Sequence, residues 1–204
     1  MQRLPYDEQL YWKSYNEEPK ASISKRAFTT DFKGDWFTEY DPLVSLKEIV
    51  LELDHMQVPW WTLRSELLPS SVHNPVTNSP EEWFDEILHL DQMVVEGFET
   101  KWLRAKAIEL GRSPDAKFQS LKLIEECLMA LGFEEIDARN LTAPMHKLHW
   151  LRSKLKGHAS GDEAVEIRRQ ALAEHGSYGK NFRALCSDCD EGLRTIVEQF
   201  KKWK

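Results

Sequence analysis

Residues 148–161 read Leu-His-Trp-Leu-Arg-Ser-Lys-Leu-Lys-Gly-His-Ala-Ser-Gly. Arg152 stands six positions before His158, with the helix-breaking Gly157 between them. These residue types can break a phosphodiester without a metal. A neutral imidazole, with an ordinary pKa of about 6.5, can take the proton of an RNA 2′-hydroxyl. Neighbouring cations favour its neutral form. A planar guanidinium can grip the phosphoryl oxygens as their charge grows in the transition state. Arg152 is therefore the candidate clamp and His158 the candidate base, with Ser153 as a hydrogen-bonding neighbour. The stretch 144–158 carries no acid. Its Lys147, His149, Lys154 and Lys156 are candidate contacts to flanking phosphates, which would make RNA binding salt-dependent. The alternative is that Arg152 pairs with a core acid such as Glu125 or Glu126 while His158 caps a helix C-terminus.

Spacing alone does not select this pair. Arg139–His146, Arg168–His175 and Arg169–His175 fall in the same range. The last two lie among Glu163, Glu166 and Glu174, which suit a phosphate less. Other constellations are weaker. Cys186-x-x-Cys189 is half of a four-ligand zinc site, and Cys127 stands alone. Both thiols of the pair fall on an apolar helical face, where cysteine acts as a small hydrophobe. No glycine-rich phosphate loop, nucleophile elbow or paired-histidine metal motif occurs, and neither a metal nor a cofactor is expected.

With its flanking helix and helix stop, Arg152–His158 resembles the Arg-x(4–6)-His motif of the HEPN superfamily of small all-α bundles. The resemblance covers roughly 80–204 at the level of fold and 148–161 at the level of motif. It implies a metal-independent endoribonuclease of the kind found in toxin–antitoxin and phage-defence systems. It also implies a homodimer in which two motifs face one cleft and the partner's histidine protonates the leaving oxygen. Ser153 departs from the asparagine common after the arginine. Other members of the superfamily serve as non-catalytic assembly modules.

The elements that must position these groups are helical. From Pro42, Leu43, Leu46, Ile49, Val50 and Leu53 follow a helical period. Ser79-Pro80-Glu81-Glu82 predicts a helix start with a capping box after a loop over 69–79. The apolar pattern from Trp83 runs to Gly111, as one long helix or as two with a break near Gly97. Helices are expected from Ser113-Pro114-Asp115 to Gly132, over 134–156 with a break or kink at Pro144, over 162–174, and over 178–203. Strand signals are nearly absent. The fold class is all-α: a helical bundle over 42–204, with an aromatic-rich irregular segment over 1–41.

The chain has 204 residues, with 34 acidic and 27 basic side chains and a net charge of −7. The acid is concentrated in the middle, and the last third is locally basic. The whole surface therefore need not repel RNA. No apolar run is long enough to cross a membrane, and three cysteines suit a reducing cytoplasm. Residues 1–41 are too aromatic for disorder and too irregular for a core. They read as an arm wrapping the bundle or as the remnant of an upstream domain. On the competing view the chain is a non-catalytic interaction module that docks a partner through 1–79, with Trp60 and Trp61 as exposed anchors. A third reading is an antitoxin or immunity protein, its net acidity matched to a basic partner.

Overall fold

The computed structural model describes residues 4–14, 25–34, 40–157 and 162–203. The chain divides into two compact units, Met1–Tyr40 and Asp41–Lys204. In the first, α1 spans Tyr6–Ser14, and α2, Lys25–Ala27, runs into a π-helical stretch over Phe28–Lys33 that stops at Gly34 with φ 71°. Tyr11 and Trp12 meet edge to face, and Phe28 stacks on Phe32.

The second unit is an all-α bundle of α3 (Pro42–Met56), α4 (Leu68–Ser71), α5 (Pro80–Val94), α6 (Thr100–Glu109), α7 (Ser120–Ala130), α8 (Glu135–Gly157), α9 (Asp162–His175) and α10 (Tyr178–Phe200). No strand occurs among the described residues; Trp61 and Phe98 form an isolated antiparallel bridge. The amphipathic α10 buries Phe182, Leu185, Cys189, Leu193, Ile196 and Phe200 at helical spacing, and packs on α3, α5, α8 and α9. In turn, α8 packs on α5, α7 and α10.

The helix ends show which local signals mattered. The Asp41 carboxylate accepts from the amides of Leu43 and Val44 ahead of α3. Ser79 caps α5 through the amide of Glu82, but the expected capping box does not close. Glu82 instead accepts from the amides of Val76 and Thr77, so its carboxylate orders the preceding loop. The apolar run from Trp83 is two helices, because the chain turns over 95–99. There Thr62 donates its amide to the carbonyl of Gly97 at 2.9 Å. Ser113-Pro114-Asp115 does not begin a helix. Asp115 takes the amide of Lys117, while Arg104 gathers the carbonyls of Asp115, Ala116 and Phe118. Those contacts hold a turn, and α7 begins only at Ser120. Pro144 does not break α8, which continues through it and packs against α5, α7, α9 and α10. Trp60 and Trp61 are not surface anchors: each is 1% exposed. Trp60 stacks on Phe98 and meets Phe200 edge to face, which makes the pair core.

Candidate functional site

The site is built on the side of α8 that faces α5 and α7. Every third or fourth residue of a helix shares a face. Thr142, His146, His149 and Arg152 are so spaced, and each meets an acid. Two of these acids, Asp91 and Glu125, occupy positions that the helical period assigns to the core. Asp91 stands four residues after Ile87 and Glu125 four after Leu121. Asp91 has no exposed side-chain surface, and Glu125 has 5%.

Burial pushes the Asp91 carboxyl above its ordinary range, against the opposing pull of His149 and Arg152. The Nδ1 atom of His149 lies 3.2 Å from Asp91 Oδ1. With Asp91 ionised the carboxylate only accepts, so Nδ1 then carries the hydrogen and Nε2 is left for another partner. Arg152 Nε lies 3.6 Å from the other Asp91 oxygen, beyond hydrogen-bond range, and its Nη2 pairs with Glu96 at 2.7 Å. One buried carboxylate thus holds a guanidinium and an imidazole side by side on successive turns of α8.

A second cluster lies one turn back. His146 Nε2 donates to Glu125 at 2.9 Å, Thr142 Oγ1 donates to the same oxygen, and Lys122 donates to the other. Burial alone would raise the Glu125 carboxyl. The bonds from His146, Lys122 and Thr142 outweigh it and bring the carboxyl down to about 2. Both imidazoles line one cavity of about 410 Å³ between the end of α5, the turn before α7 and α8, with Val95, Phe118 and Lys122 among its walls.

The structure brings Arg152 and His149 together but places the candidate lysines elsewhere. Lys154 pairs with Glu163 of α9 at 2.9 Å, and Lys147 borders small cavities toward α9 and α10. Ser153 donates its hydroxyl back to the carbonyl of His149. His158 and the side chain of Lys156 lie outside the described residues. The acids that hold Arg152 are Asp91 and Glu96, not Glu125 or Glu126; Glu126 pairs with Arg112. Among the rival pairs, Arg139 reaches Glu135, Arg169 reaches Glu166, and His175 lies 3.7 Å from Glu174.

Asp91 and Glu96 were the site residues that motif reasoning missed, while Glu125, foreseen as a core acid, holds His146 and Lys122 rather than Arg152. The available signal for Asp91 was an acid inside an apolar helical stripe, where charge is rarely tolerated unpaired. Cys127, Cys186 and Cys189 are free and fully buried. Burial pushes the Cys127 thiol to about 12 and the other two higher still. No group of three metal-ligating side chains occurs among the described residues, and none of their helices is long and apolar enough to cross a membrane. The chain matches no protein-family model, no curated protein and no solved structure.

Proposed function

We propose that this chain is a HEPN-like, metal-independent endoribonuclease acting on single-stranded RNA as a homodimer in the cytoplasm, in a toxin–antitoxin or phage-defence setting. The observation that supports this reading is the anchoring of Arg152 and His149 on the buried Asp91, on the last turns of α8 before the motif histidine. Preorganised charge of this kind stabilises a transition state without reorganisation at the moment of reaction. Arg152 clamps the scissile phosphate. His158 removes the 2′-hydroxyl proton, O2′ attacks phosphorus, and the bond to O5′ breaks to leave a 2′,3′-cyclic phosphate.

The purified protein is expected to cleave single-stranded RNA in the presence of EDTA and to spare a 2′-deoxy analogue. His158→Ala is expected to abolish cleavage without changing thermal stability. Undiminished cleavage by that variant would remove His158 from the mechanism.

One observation favours a non-catalytic helical assembly module. Glu96 occupies Nη2 of Arg152 at 2.7 Å, as it would in a purely structural ion pair. Glu96→Gln separates the two readings. For the nuclease it frees the clamp, tightening RNA binding and speeding cleavage. For the module it lowers stability and leaves RNA ignored.

A further inference from the structure

The cavity beside Arg152 holds an imidazole that the Arg-x(4–6)-His motif does not contain. His149 is half exposed, its Nδ1 is fixed by the buried Asp91, and its Nε2 has no partner among the described residues. This is the arrangement of a histidine set for proton transfer: the acid behind it fixes ring orientation and tautomer, and the outer nitrogen handles the proton. Its neighbour on the same carboxylate is Arg152. His146 is the less suited of the two imidazoles. It is held by Glu125, and at six residues from Arg152 it lies about 9 Å along the helix axis from the clamp.

We propose that His149 is the general acid that protonates the departing 5′-oxygen, and that the cavity walled by His146, His149, Phe118 and Val95 takes the nucleotide on the leaving side of the scissile phosphate. This assignment rests on the ribonuclease reading and deepens it, because the acid then comes from the same subunit as Arg152. As the P–O5′ bond breaks, its electron pair stays on O5′, and protonated His149 gives that oxygen the proton from Nε2. The proton taken from O2′ leaves on the general base, and both groups exchange with water after product departs. A cavity of about 410 Å³ has room for a nucleoside monophosphate, with Phe118 offering an apolar wall to the base and Lys117 and Lys122 lying at the same cavity.

The test uses two RNA oligonucleotides of one sequence, one ordinary and one with sulfur replacing the bridging 5′-oxygen at the scissile link. A thiolate leaves without a proton, so loss of the acid should not slow the second substrate. His149→Ala and His149→Gln are expected to slow the ordinary substrate by about 10²–10⁴-fold. Both should cleave the sulfur substrate within about threefold of the unaltered protein. His146→Ala should raise KM for both substrates alike.

Equal loss on both substrates would make His149 a binding or structural residue and overturn the assignment. Undiminished cleavage of the ordinary substrate by both variants would overturn it while leaving the ribonuclease standing. Failure of the unaltered protein to cleave either substrate would overturn the ribonuclease reading and the acid with it.

Discussion

At the scale of single residues, the determining feature is the placing of carboxylates in a hydrocarbon interior. A buried acid is tolerated when paired and hydrogen-bonded, and removing its partners exposes the cost of desolvation. Glu125 has its needs met by Lys122, Thr142 and His146. Its carboxyl is drawn from the usual 4.5 down to about 2 in the folded chain, so the native state binds fewer protons than the unfolded one between those values. The stabilisation is fully present above about pH 4.5 and is lost as pH falls toward 2. A shift of this size corresponds to roughly 3 kcal/mol at neutral pH. Glu125→Gln should therefore be clearly less stable than the unaltered protein in urea at pH 6, with the gap narrowing steadily down to pH 2.5. A gap of constant size across that range would contradict the account.

At the scale of elements, the bend between α5 and α6 is fixed by a close approach of backbone to ring. A Cβ built on Gly97 would lie 2.3 Å from Nε1 and 2.4 Å from Cε2 of the Trp61 indole, itself buried among Trp60, Phe98 and their neighbours. That ring has nowhere to go, and overpacking a filled interior costs about 1–3 kcal/mol or more. Gly111 offers the contrast: it has open space around it but a φ of +85°. Gly97→Ala is expected to lower Tm by about 2–4 °C for each kcal/mol of overpacking, and Gly111→Ala by less, since only backbone strain of about 1 kcal/mol opposes it. Thermal scans giving the reverse order would refute the packing explanation.

The sequence foretold the helices well where their apolar residues recur with a full turn's period, as in α3, α5 and α10. It misjudged their edges where side chains reach across the fold. Arg104 capturing three carbonyls delayed the start of α7, and Glu82 turned to the loop rather than to its own helix end. Neither partnership follows from local spacing. The candidate site was half legible for the same reason. Arg152 and His149 stand in a recognisable basic run, but the acids that hold them are 61 and 58 residues away in sequence for Asp91, and 56 for the pairing of Arg152 with Glu96.

At the scale of the whole molecule, the acidic middle and the basic end are not separate surfaces. Much of the opposite charge is spent internally. Asp91 and Glu96 of the acidic middle meet Arg152, and Asp41 meets Arg183. The helical unit from Asp41 onward contains one continuous apolar core, running from Leu43 on α3 to Phe200 on α10.

Three sulfurs are sealed in that core, one on α7 and two on α10, each with no exposed surface. They make the fold its own stopwatch. A disulfide-exchange reagent meets a thiol only when the surrounding helices part, so the rate at which colour develops measures how often the interior opens. Cys127, Cys186 and Cys189 should be modified together, at least about a thousandfold more slowly in buffer than in denaturant. A single cysteine that reacts early would reveal a seam along which α7 and α10 come apart independently.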